Sequence, residues 1–160
     1  MGAGSRIKSL SVKLRAVFLA GVCAGVVSTL AQLLLWWLSG QDALLLLLRD
    51  ARLTAALLLG SAVLPPPATF DIHVMLAATA IHFMLSMLYA AVLLPLERTS
   101  LASSLFIGTA FGVALYFLNL HGFTAIFPWF AEARGGITLA VHAVFGITVM
   151  LAYRYSGILR

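Results

Sequence analysis

The chain has 160 residues, of which 62% are hydrophobic and 9% charged, with a mean hydropathy of +1.08. Soluble domains carry about 25% charged residues, so a water-facing globule is excluded and lipid must be the solvent. The formal net charge of +5 does not point to nucleic acid, because the basic residues flank apolar runs, as membrane orientation requires.

The N-terminal stretch MGAGSRIKSLSVKLR carries four basic residues and no acid, and the apolar run Ala16–Leu38 follows it with 23 residues. That is longer than the ~7–15 residues of a cleavable signal core. LAGVC (Leu19 to Cys23) has Val22 where a lipoprotein signal needs a small residue. A retained spanning helix is expected. Cys23 is the single cysteine, so a disulfide or a cysteine-based metal site within one chain is excluded.

The next segment, Ala43–Leu64, is apolar but split by RDAR, Arg49 to Arg52. Three charges near a bilayer centre would cost several kcal/mol, and the uninterrupted pieces are too short to span. An outer-side interfacial or re-entrant helix is expected, ended by Gly60 and by Pro65, Pro66 and Pro67. The prolines form a stiff hinge. Thr69 or Asp71 then suits the N-cap of the following helix. His73 is not required by capping.

Three further runs are long enough to span: Ile72–Leu96, Leu101–Leu120 and Gly135–Tyr153. In lipid they must be helices, because lone strands would leave backbone groups unpaired. The predicted fold is thus all-α: one transmembrane domain over residues 1–160, a four-helix membrane bundle plus the 43–64 segment. With the N-terminus cytoplasmic, Arg6, Lys8, Lys13, Arg15, Arg98, Arg154 and Arg160 lie inside with Glu97. Arg49, Arg52 and Arg134 lie outside with Asp42, Asp50, Asp71 and Glu132. This distribution obeys the positive-inside rule and predicts a multi-pass inner-membrane protein with both termini cytoplasmic. Trp36, Trp37 and Trp129 all fall on the outer side, where an aromatic belt is expected.

Spans one and three share a pattern. GVCAGVVSTLAQ (Gly21–Gln32) and GTAFGVALYFLN (Gly108–Asn119) both contain GxxxGV and end in a side-chain amide. AIHFMLS (Ala80–Ser86) and AVHAVFG (Ala140–Gly146) pair likewise in spans two and four. The pattern suggests two copies of a two-helix unit, parallel in topology, with 43–67 inserted in the first; chance similarity among apolar helices is the simpler reading. Small residues four apart allow close helix approach, so Gly21, Gly25, Ser104, Gly108 and Gly112 form candidate packing stripes.

Candidate polar or pathway residues are His82, His142, Tyr89, Gln32 and Asn119. Intramembrane histidines face a bundle interior or a water cavity. His82, Ser86 and Tyr89 share a helix face, and Thr138 lies one turn before His142. An outer-side cluster of Asp71, His73, His121 and Glu132 is a candidate zinc or copper site by ligand chemistry, with solvated helix ends as the simpler reading. No cofactor is required by any motif. Hydrolase elbow, phosphate loop and paired-cysteine patterns do not occur, and a non-enzymatic protein is expected.

The segments LTAALLLGSAVLPPPATFD (Leu53–Asp71), AIHFMLSMLYA (Ala80–Ala90) and GVALYFLNLHGFTAIFPWFAEAR (Gly112–Arg134) together resemble a group of small four-span proteobacterial inner-membrane proteins. Some such chains carry the label sodium:proline symporter. The resemblance covers roughly Leu53 to Tyr153. It implies an inner-membrane location and supplies no catalytic residues. Symporters of that kind build midplane sites from discontinuous helices in a large set of repeated spans, and four spans are fewer than that design uses.

The expected function is that of a helix-packing protein or complex subunit, whose partners are the lipid bilayer and either further copies or a larger membrane complex. A small transporter or channel for a solute, ion or proton is the alternative. A haem- or metal-binding subunit using His82 and His142 is the third.

Overall fold

In the computed structural model the described residues are 3–64, 68–97 and 99–155, with side chains described from Lys8 onward. The proline hinge at 65–67, Arg98 and Arg160, and the Arg6 side chain, lie outside them. Among the described residues every regular element is helical.

Helix α1 runs from Ala3 to Leu38, well ahead of the apolar run, because no proline or glycine interrupts residues 5–20. It stops at Gly40, whose φ of 72° lets the chain turn left-handed. Gly40 N–H donates to Trp37 O and Gln41 N–H to Trp36 O, both at 3.0 Å, which satisfies the last carbonyls. Asp42 then caps α2, Ala43–Leu59, accepting from Leu45 N–H at 2.9 Å. Gly60, with φ 81°, ends it. Helix α3 spans Ile72–Leu93 and continues as a 3-10 turn over Leu94–Leu96, where Pro95 removes a donor. Ser100 caps α4, Leu101–Phe117, through Ser103 N–H. The chain then widens into a π turn, Leu118–Gly122, and tightens into 3-10 turns reaching Ala133. Helix α5 covers Gly136–Tyr155.

Four helices are long and apolar enough to cross a membrane: Lys8–Leu38, Ile72–Leu96, Leu101–Ala125 and Gly136–Tyr155. Only 22–33% of each apolar window is buried inside the chain. Leu34, Leu76, Met84, Leu88 and Phe106 point outward, a surface that water would not tolerate over this area and that lipid covers.

Helix α1 is central. It packs against α3 on one side and α5 on the other, and α5 carries α4 on its far side. Ala16, Ala20 and Ala24, four apart, bring α1 close to Phe145, Val149, Met150 and Tyr153 of α5. Ala90 and Leu93 of α3 close this core. Tyr153 donates its hydroxyl to Ala90 O at 2.7 Å, joining α5 to α3. Helix α2 lies on α3 through Ala51, Ala55, Val74, Ala77 and Ala78.

The glycine stripes face the chain's own helices. A Cβ on Gly108 would stand 2.7 Å from Gly146 O and from Ile147 Cα, and one on Gly112 would collide with the His142 carbonyl. A Cβ on Gly21 would lie 2.8 Å from Met87 Cα. One on Gly25 would lie 3.1 Å from His82 Nε2, Phe83 Cε1 and Ser86 Oγ. Ser104 is fully buried and its hydroxyl lies 2.9 Å from that of Thr99. The paired sequence patterns thus correspond to paired contacts: α1 seats its glycines on the histidine turn of α3, and α4 seats its glycines on the histidine turn of α5.

A candidate solute cleft between α3 and α4

If the two-helix units were related throughout, α4 would lie against α3 as α1 lies against α5. It does not: α3 and α4 barely touch. Helix α2, present only after α1, leans on α3 beside the gap. What remains is a cleft of about 600 Å³, walled by α1, α2, α3, α5 and the turns that follow α4, with Leu115 lining it from α4 itself, and within the range of small-molecule sites. Its walls are largely apolar, with Leu57, Leu115, Phe123, Phe127 and Phe145 among them.

The polar groups on those walls include every residue singled out inside the spans. His82, His142, Tyr89, Gln32 and Asn119 all line the cleft, with Ser86 and Thr138. Each is held. His82 Nε2 lies 3.2 Å from Gly25 O and 3.5 Å from Thr29 Oγ1. A carbonyl only accepts, so this nitrogen is the donor to Gly25 O. His142 Nδ1 donates to Thr138 O, one turn back, at 2.8 Å, and its ring stands edge-on to Tyr116 at 5.8 Å. The Tyr89 ring packs edge-on to Phe145 at 6.5 Å, and its hydroxyl donates to Asn119 Oδ1 at 2.7 Å across the cleft. Asn119 reaches that position from the π turn. The same turn exposes Leu120 O to Arg134 Nε at 2.7 Å, a use of π geometry typical of functional segments.

The charges that split the 43–64 segment have partners. Asp50 pairs with Arg49 at 2.8 Å and accepts from Gln32 Nε2 at 3.3 Å. Burial pushes the Asp50 carboxyl above its usual range, and the adjacent Arg49 and Gln32 oppose that shift. Arg52 donates to Val63 O at 2.9 Å, Thr69 O at 3.0 Å and Thr69 Oγ1 at 3.2 Å. Trp129 Nε1 donates to Leu53 O at 3.0 Å. Thr69 is therefore a clasp for α2. Asp71 is the N-cap of α3, with Oδ1 accepting from His73 N–H at 2.8 Å and Val74 N–H at 3.2 Å. These backbone donors, Val74 first, hold its carboxyl below the ordinary range, so the cap stays charged at neutral pH.

Two expectations give way to geometry. Trp36 does not join a solvent-side belt: it is 4% exposed and lines the cleft, whereas Trp37 is 68% exposed. Burial selects Trp36 because it points between α2 and α5. The outer-side set Asp71, His73, His121 and Glu132 is not drawn together by any hydrogen bond or ion pair among its members. Asp71 and His73 start α3, while the His121 ring lies against Tyr116 at 5.5 Å and Phe117 at 5.4 Å. Among the described residues no group of three or more His, Cys, Asp and Glu side chains gathers as a metal site. Thr54, Thr79 and Ser28 also line the cleft. Sequence reading passed over them, since threonine and serine are ordinary in membrane helices. Comparison with protein-family models, with curated proteins and with solved structures finds no match.

Proposed function

We propose that this chain is a non-enzymatic, multi-pass membrane protein that holds a small, largely apolar molecule in the cleft between α3 and α4, as a binding subunit or as part of a transport route. The observation that carries this reading is the cleft itself: about 600 Å³ of space with apolar walls and a few oriented, neutral hydrogen-bonding groups, the usual composition of a ligand site. Among the described residues Asp50 is the one carboxylate that lines it, no Lys or Arg does, and Arg49 compensates that charge. The glycine stripes are occupied within the chain, so assembly with further copies would use other faces. The distribution of arginine and lysine supports cytoplasmic termini, and the resemblance to small proteobacterial proteins supports the inner membrane. The partnered charges of α2 support an interfacial or re-entrant position on the outer side.

The test fills the cleft. Thr54 lines it from α2 and is half-buried. Titration of the purified protein in detergent with an environment-sensitive naphthylamine probe should show saturable binding. Thr54→Phe should abolish it while leaving helix content and elution volume unchanged. A Thr54→Phe variant that binds the probe as the wild type does would refute the reading.

A further inference from the structure

A second recess adjoins the cleft. It has a volume of about 170 Å³, and Trp36, Ala133 and Thr138 line both spaces. The recess sits where α1 ends and α5 begins, at one end of the bundle, and its charged lining residues are Arg49, Arg134 and Glu132. Arg49 is already paired with Asp50. Arg134 makes no ion pair among the described residues: Nε donates to Leu120 O and Nη2 to Thr124 Oγ1, both neutral acceptors. Glu132 makes no ion pair among the described residues. The mouth therefore offers one uncompensated cation and one uncompensated anion, two residues apart, above an apolar chamber. A water-soluble solute has no use for the chamber, and a hydrocarbon has none for the mouth.

We infer that the occupant is a zwitterionic phospholipid, with one acyl chain in the cleft, its phosphate at Arg134 and its ammonium at Glu132. This rests on the cleft being a binding site and adds the class of ligand. A guanidinium presents a fork that matches phosphate oxygens. A carboxylate two residues away selects against a purely anionic head group by repulsion. The bundle end is also where head groups stand.

The experiment delipidates the purified full chain and offers an equimolar mixture of dioleoyl-phosphatidylethanolamine, dioleoyl-phosphatidylglycerol and dioleoylglycerol. Retained lipid is then counted by native mass spectrometry. Wild type should retain the ethanolamine lipid over each of the others by about two- to fivefold, the scale of partly exposed charge pairs. Glu132→Gln should erase the preference for ethanolamine over glycerol head groups. Arg134→Gln should bring both phospholipids down to the level of dioleoylglycerol. Glu132 is exposed and unpaired, so its variant keeps the test decisive should loss of the Arg134 contacts disturb the fold. Equal retention of all three lipids, unchanged in Glu132→Gln, would overturn the head-group site while leaving the cleft as a binding site. If none is retained while the naphthylamine probe still binds, the phospholipid assignment falls alone. If neither lipid nor probe binds, the cleft reading falls with it.

Discussion

Gly112→Ala should destabilise the folded bundle by about 2–3 kcal/mol, the cost of overpacking where nothing can yield. The new methyl would meet the His142 carbonyl and the Ala143 Cα, both backbone, so α4 and α5 must separate. Gly146→Ala should behave alike, because its Cβ would strike the Gly108 carbonyl. Gly25→Ala makes the informative contrast. Its neighbours at 3.1 Å are side-chain atoms of His82, Phe83 and Ser86, which can shift, and alanine in a helix gains about 1 kcal/mol over glycine. Its net change should stay below about 1 kcal/mol. Reversible unfolding in mixed micelles would rank the three. If Gly112→Ala altered only the oligomeric state and left monomer stability intact, the stripe would serve contacts between copies instead.

Arg52→Gln should release α2 from the bundle without unfolding it. The guanidinium holds two carbonyls and a hydroxyl that lie 11 and 17 residues away in sequence. Hydrogen bonds from a charged donor contribute about 1.5–3 kcal/mol together with the desolvation they offset. Amide hydrogen exchange across α2 should rise roughly tenfold or more, the equivalent of about 1.4 kcal/mol, while α4 and α5 keep their protection. Arg52→Lys should restore little, since an ammonium cannot reproduce the fork. Because α2 forms one wall of the cleft, probe affinity should fall in the same variant. Unchanged exchange in α2 would show that Trp129 and the alanine contacts with α3 suffice to hold it.

The parts of this fold legible in the sequence are those that lipid enforces. An apolar run of about 20 residues must be a helix, and the start of α3 follows from Asp71 placed just ahead of such a run, whereas the Ser100 cap of α4 appears only in the structure. Asp71 as a cap is a local matter, settled within three residues. The glycine spacings were equally visible, but spacing states only that a helix approaches closely and does not name which one. The partner helices appear once α3 and α5 are seen to seat their histidine turns on those glycines. The cleft was illegible for a related reason. Tyr89 and Asn119 are 30 residues apart and on different helices, and only the failure of α3 and α4 to pack makes their bond span a gap. Trp36 and Trp37 are neighbours of one residue type with opposite fates. That both stand at the end of an apolar run can be read from the sequence, whereas burial depends on which neighbour each side of the helix meets. The RDAR charges raised the cost of inserting α2. The partners those charges find, Gln32 for Asp50 and Thr69 for Arg52, come from other segments.

The most direct measurement of whether the cleft holds an apolar chain uses its own tryptophan. Trp36 lines the cleft and is 4% exposed, while Trp37 on the same helix is 68% exposed. Two variants would keep one tryptophan each, with phenylalanine at the other two positions. Both would be titrated in micelles with a phospholipid brominated on its acyl chain. An occupied cleft predicts saturable quenching of Trp36 that exceeds quenching of Trp37 and is reversed by the unbrominated lipid. Quenching of Trp37 alone, with Trp36 silent, would mean that lipid only coats the bundle and would contradict the account.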